Sequence, residues 1–199
     1  MAVSPGEFCR SMRFLSFIFG SPEFRTRLEN SRARLYRLAY SWCHDAALAD
    51  DLVQETLYKA LKKSGQLRDM AVLEGWLFRI LANCWRDHLR QRCSTVDIDD
   101  IDELEEMPFA NRPTPEDLHG EQQLVARVRS AVESLRLGQR QVLTLVDLEE
   151  FSYSETAEIL DIPVGTVMSR ICRARQALKL QLFEHRTLDL VRTKPGSMK

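Results

Sequence analysis

Between Phe151 and Arg175 the chain reads as two short helices meeting at a tight turn, the second basic on one side and apolar on the other. Ser152 is placed to cap the first helix, and Glu155, three residues on, completes a capping box. Asp161-Ile162-Pro163 ends that helix, because proline lacks the N–H that a continuing helix needs, and Pro163 suits the first turn of a new one. At about 100° per residue, Val164, Val167, Ile171, Ala174, Leu178 and Leu182 fall on one apolar stripe. Thr166, Ser169, Arg170, Arg173 and Gln176 point the other way. From Val164 to Leu182 there are four basic residues and no acid. A helix entering a DNA major groove needs this combination, an apolar back to hold its own domain and donors facing base edges and phosphates. A solvated basic face on an ordinary amphipathic helix has the same pattern, so this helix alone does not decide between the two.

Total charge does not announce a nucleic-acid partner: the formal net charge of the 199 residues is −1. Its distribution does. Residues 97–106 hold seven acids in ten positions and mask basic segments on either side. Hydrophobic content of 44% and a charged fraction of 29% fit a soluble chain of one or two small domains. The five cysteines (Cys9, Cys43, Cys84, Cys93, Cys172) show neither zinc spacing nor an even disulfide set, and Cys84 and Cys172 are expected to be small packing residues. The four histidines are scattered, so no metal site is expected. The apolar run Phe14–Phe19 is too short to span a bilayer and lacks a small-residue cleavage site, so no export, membrane insertion or anchor is expected and the protein reads as cytoplasmic.

The reading is all-α, in two small helical domains joined by a flexible acidic linker. Residues 1–22 form an N-terminal tail, 23–95 the first domain, 96–118 the linker with Pro108, Pro113 and Pro115, 119–187 the second domain, and 188–199 a C-terminal tail. The first domain is expected to hold helices near Glu23–Cys43, Ala46–Lys63 (capped by Asp45) and Glu74–Arg92. The second should hold helices near Glu121–Leu135 and Gly138–Glu149, then the helix-turn-helix.

Glu74–Arg92 carries a second cationic feature. Leu77, Ile80, Leu81, Cys84, Trp85 and His88 share one side, and Phe78 is assigned to the core with them. Arg79, Asn83, Arg86 and Arg90 recur at i, i+4, i+7 and i+11 within an arc of about 60° on the other side. That row is about 17 Å long at 1.5 Å per residue, enough to track several phosphates, and like charges in a row repel one another until an anion neutralises them. Trp76 lies at its margin, beside Arg68-Asp69-Met70, as either a stacking platform for an unpaired base or a boundary core residue. A duplex-reading helix-turn-helix and a stripe suited to single-stranded DNA, on either side of a tether, suit promoter opening. Paired carboxylates in a pocket-like setting, a nucleophile elbow and a Gly-rich phosphate loop are absent, so neither an enzyme nor a cofactor is expected.

Three segments in this order, Ala49-Asp-Asp-Leu-Val-Gln-Glu-Thr56, Gly75-Trp-Leu-Phe-Arg-Ile-Leu-Ala-Asn83, and Phe151–Leu160 followed by Pro163–Arg170, resemble the bacterial sigma factors of the extracytoplasmic-function (ECF) group, the minimal members of the sigma-70 family. The resemblance covers about residues 23–185 and implies the second and fourth sigma regions. It implies that Asp51, Gln54 and Glu55 dock on the β′ clamp helices of core RNA polymerase, with the β flap as a further contact. It also implies that Arg68, Asp69, Trp76, Arg79, Asn83, Arg86 and Arg90 hold the melted −10 strand. Thr166, Ser169, Arg170, Arg173 and Gln176 would read the −35 duplex, and the acidic linker would thread polymerase channels otherwise open to RNA. Promoter DNA, polymerase and an anti-sigma factor are the partners so implied. Met168 stands where relatives often carry Lys, so the phosphate contact of that Lys is not carried over, and residues 1–22 have no counterpart. Two other readings compete. A sigma-mimicking regulator that sequesters an anti-sigma factor would need neither the arginine row nor the basic recognition helix. A conventional helix-turn-helix regulator would need a dimerisation or ligand domain.

Overall fold

Ser21 starts the first helix: its hydroxyl accepts from Phe24 N at 3.2 Å, and Pro22 occupies the first turn, where a missing N–H costs nothing. The computed structural model of the chain describes the backbone of residues 21–67, 69–92 and 121–192, and side chains throughout these except at 121–124 and 183–192. The N-terminal tail, Arg68, the acidic linker and residues 193–199 lie outside the described residues. The elements are α1 (Pro22–Cys43), α2 (Ala46–Lys62), α3 (Leu73–Arg92), α4 (Glu121–Glu133), α5 (Leu137–Leu143), α6 (Tyr153–Leu160) and α7 (Val164–Arg192). Short 3₁₀ turns, Ser64–Gln66 and Met70–Val72, connect α2 to α3. Among the described residues there is no strand. The chain divides into two units, one built on α1–α3 and the other on α4, α5 and α7.

In the first unit α1, α2 and α3 all pack on one another. α1 ends where His44 takes a left-handed conformation (φ 53°) and its N–H bonds Tyr40 O at 2.8 Å. Asp45 restarts the chain, its carboxylate accepting from Ala47 N at 2.9 Å and Leu48 N at 3.1 Å. The core is Phe24, Leu28, Leu35, Leu38, Ala39 and Trp42 of α1, Ala49, Leu52, Val53 and Ala60 of α2, and Leu77, Phe78, Ile80, Leu81, Cys84 and Trp85 of α3. The periodicity of α1 and α3 predicts these sides. Leu57 and Leu61 of α2 are half-buried, while Thr56 is fully buried and its hydroxyl donates to Leu52 O at 2.7 Å.

The second unit is held by Val142, Leu143 and Leu145 with Val167, Ile171 and Ala174. Arg140 is 6% exposed and donates from Nη1 to Glu133 O at 2.8 Å, placing a cation on the carbonyl end of α4. The helix expected to run to Glu149 changes pitch instead. Thr144–Leu148 is a π turn, with Glu149 N bonded to Thr144 O at 3.0 Å. The Thr144 hydroxyl donates to Arg140 O at 2.9 Å and so competes with the regular ladder. Asp147 in this turn meets Arg175 of α7 at 2.5 Å. The helical backbone of α7 continues to Arg192, beyond the expected domain boundary at 187.

Candidate nucleic-acid and polymerase interfaces

The capping box predicted for α6 is present in both directions: Glu155 N donates to Ser152 Oγ at 3.2 Å, and Ser152 N donates to Glu155 Oε2 at 2.9 Å. These bonds to Ser152, its hydroxyl first, hold the Glu155 carboxyl below the usual carboxylate range. α6 ends in a left-handed Asp161 (φ 56°), a conformation Asp tolerates, and Ile162 N bonds back to Ala157 O at 3.1 Å. The Pro163 carbonyl then accepts from Thr166 N at 2.9 Å and Val167 N at 3.2 Å, starting α7. Proline thus stands immediately before the second helix, where its missing donor is no loss.

On α7 the back and the front separate as the sequence implies, with two corrections. Val167, Ile171 and Ala174 are buried; Arg173 and Gln176 are exposed; Thr166, Ser169 and Arg170 are half-buried. Val164, expected in the apolar stripe, is 43% exposed, because it precedes the first core-facing turn and is only partly covered. Cys172, expected to pack inside, is exposed, since it lies about 140° around the helix from Val167. Cys84 is buried as expected; it accepts the Thr56 hydroxyl at 3.8 Å, and burial pushes its thiol up.

On α3, Arg79, Asn83 and Arg90 are exposed and Arg86 is half-buried. Arg86 Nη1 donates to Asn83 Oδ1 at 3.0 Å, tying the middle of the row together. Asp87, the acid closest in sequence to the row, is 3.6 Å from Lys59 on α2, so its charge is drawn away from the arginines. Trp76 is half-buried with its ring 6.5 Å from that of Phe24, tilted by 58°. Trp76 thus stands at the boundary between core and surface. Asp69 caps the turn before α3, accepting from Ala71 N at 2.8 Å, which fixes where the loop enters the helix. Behind the row His88 stacks on Trp85 at 5.8 Å, and burial, then Arg92, lowers its pKa.

The third surface lies on α2. Asp51, Gln54 and Glu55 are exposed. Gln54 Nε2 donates to Asp50 at 2.8 Å, and Arg32 bonds the same carboxylate at 3.1 Å, which holds Asp50 below the usual range. Glu55 pairs with Lys59 at 2.9 Å, and this bond raises the Lys59 pKa. Sequence reasoning omitted Tyr58. It is 57% exposed, with the Lys62 ammonium 4.5 Å over its ring. Helical spacing places Tyr58 between Gln54 and Asp51 around the axis, a signal present in the sequence. Among the described residues no group of three or more His, Cys, Asp or Glu could hold a metal. No helix of the described residues is long and apolar enough to cross a membrane.

Two family models match the chain, sigma-70 region 2 over residues 28–95 and sigma-70 region 4 over residues 126–178. The ECF RNA polymerase sigma factor SigE of Mycolicibacterium smegmatis is 36% identical over 152 residues, covering 76% of this chain and 58% of that protein. The ECF sigma factor EcfG of Rhodopseudomonas palustris is 36% identical over 149 residues, covering 75% and 79%. The RNA polymerase sigma-H factor of Pseudomonas aeruginosa is 32% identical over 151 residues, covering 73% and 78%. Among solved structures, the sigma factor RpoE of Bartonella quintana, in complex with the anti-sigma factor NepR, has a TM-score of 0.64 at 30% identity, covering 81% of this chain and 98% of that one. CnrH in complex with the cytosolic domain of CnrY has a TM-score of 0.54 at 25% identity, covering 81% and 88%. With both sigma regions matched in order on two helical units, the chain belongs to the sigma-70 family as a member of its ECF group.

Proposed function

We propose that this chain binds core RNA polymerase and directs it to promoters by reading the −35 duplex with α7 and holding the melted −10 strand on α3. The observation that carries the reading is the open row Arg79, Asn83 and Arg90, whose nearest acid in sequence, Asp87, is turned toward Lys59. A row of like charges is unfavourable in the free protein and becomes favourable when phosphates neutralise it. Extruding a base costs a few kcal/mol, which stacking on the half-buried Trp76 and backbone charge would offset. Asp69 would set the loop beside the extruded base through its cap, and the family resemblance adds Arg68 to the same contact.

On α7, Arg173 and Gln176 would reach base edges, with Thr166, Ser169 and Arg170 beside them on the same helix. Asp51, Gln54, Glu55 and the adjacent Tyr58 would form the docking face for the β′ clamp helices, with the second unit on the β flap. The ring of Tyr58, held under Lys62, supplies the apolar anchor that such interfaces rely on. The acidic linker would thread the polymerase channels, and an anti-sigma factor would compete for the same faces. Such a chain needs no catalytic group of its own, because polymerase supplies the chemistry.

Transcription with purified core polymerase on a fragmented genomic template, with the 5′ ends sequenced, tests this. Chain-dependent starts that share two upstream elements are the expected result. Tight core or anti-sigma binding without any chain-dependent start would instead favour the sigma-mimicking regulator.

A further inference from the structure

The polar flank of α7 carries Arg170 and Arg173, and a second flank begins with exposed apolar side chains. Val164 is 43% exposed, Met168 is 54% exposed, and Cys172 is exposed. At four-residue spacing they form one continuous ridge within an arc of about 80°, beginning at the first residue of the helix. Arg175 and Lys179 fall in the same arc, Arg175 tied to Asp147, while Thr166, Arg170 and Arg173 lie on the other side of the outward face beyond Ser169 and Gln176, so the first two turns offer an apolar edge and a polar one. Large exposed apolar side chains cost solubility without adding stability, and the first two turns of α7 carry two, Val164 and Met168, with the small Cys172 beside them. No acid lies between Val164 and Leu182, and the Asp147 carboxylate beside this flank is neutralised by Arg175. Gly165 is a second anomaly at the same end. A Cβ built there meets nothing within 4 Å, so the protein's own packing does not require glycine in this first turn. Glycine gives up side-chain packing and adds backbone entropy to the unfolded chain, and a close approach from outside is one use that offsets this.

We propose that Val164, Met168 and Cys172 read thymine 5-methyl groups in the upstream duplex element, making α7 a reader of methyls on one edge and of hydrogen-bonding groups on the other. This rests on the duplex-reading role of α7 given above. The thymine methyl is the apolar feature of the major groove, and a thioether or a branched aliphatic chain is matched to it. Met168 and Cys172 are separated by a rise of about 6 Å, and base pairs are stacked about 3.4 Å apart, so the ridge spans two neighbouring pairs. A lysine at 168 would contribute a sequence-independent phosphate contact; methionine exchanges that affinity for base preference.

The test uses holoenzyme reconstituted from core polymerase and the full chain, on an upstream element taken from mapped transcript starts. Each thymine is replaced in turn by deoxyuridine, which removes one methyl and leaves pairing unchanged. Loss of a methyl from an apolar contact should weaken binding about three- to fourfold at one or two neighbouring positions. Met168→Ala should abolish the thymine-over-uracil preference at one of them. Met168→Lys should abolish it as well and steepen the salt dependence by about one released ion. Because Met168 is exposed, an unchanged melting temperature checks that both variants fold. The proposal is overturned if holoenzyme prefers the element to a scrambled duplex yet ignores every uracil, if Met168→Ala keeps the discrimination, or if the element contains no thymine. In those cases duplex reading by α7 stands. If the element is not preferred to a scrambled duplex, both the methyl ridge and the duplex-reading role fall.

Discussion

Ser152 and Glu155 satisfy each other across the first turn of α6, each supplying the acceptor for the other's backbone N–H. Ser152→Ala removes one half of that exchange and should destabilise the second unit by about 1 kcal/mol, read as a shift in the urea midpoint. The pH dependence has a definite sign. Bonds from Ser152 lower the folded-state pKa of Glu155, so its contribution is complete above the unfolded carboxylate pKa of about 4.3 and disappears as pH falls through the folded value. The stability gap between wild type and Glu155→Ala should therefore be constant near neutrality and narrow below about pH 4.

Arg140 makes a harsher demand. Its guanidinium is buried and bonded to the Glu133 carbonyl, so Arg140→Ala leaves the end of α4 without its cation. A loss of about 1.5–3 kcal/mol is expected by denaturant unfolding.

Arg173 is exposed on the outward face of α7. Arg173→Ala should weaken upstream duplex binding by about 1–3 kcal/mol and relax the preference at a single base pair, measured by competition between duplexes. An affinity that is unchanged at every position would remove Arg173 from the reading surface.

Tyr58→Ala should lower core polymerase affinity by about 2 kcal/mol or more, with little effect on folding because the ring is 57% exposed. Equilibrium binding of labelled chain to core polymerase, set beside thermal unfolding, separates the two effects.

The local features were the legible ones. Asp45, Ser152 and Glu155 cap helices through bonds to residues two or three positions away, so residue type and spacing nearly determine the outcome. The core sides of α1 and α3 follow from periodicity because each helix packs along most of its length. What failed needed tertiary information, or a helical projection in place of a residue prior. Cys172 is a small apolar residue on the outward side of its helix, and composition predicts burial where angular position does not. Val164 has the right phase but lies before the core begins. The π turn at Thr144–Leu148 combines a buried threonine back-bonding to its own helix with an Asp147–Arg175 pair 28 residues apart, and neither is visible in hydrophobic pattern.

The α3 row can be examined directly through strand opening. Holoenzyme on a promoter carrying 2-aminopurine in the −10 non-template strand reports unstacking as a rise in fluorescence. Wild type should give that rise, and a chain carrying Arg79→Ala, Asn83→Ala and Arg90→Ala should lose most of it while binding core polymerase and the upstream duplex normally. Opening that proceeds equally well with the triple variant would contradict the central claim that these exposed side chains hold the melted strand.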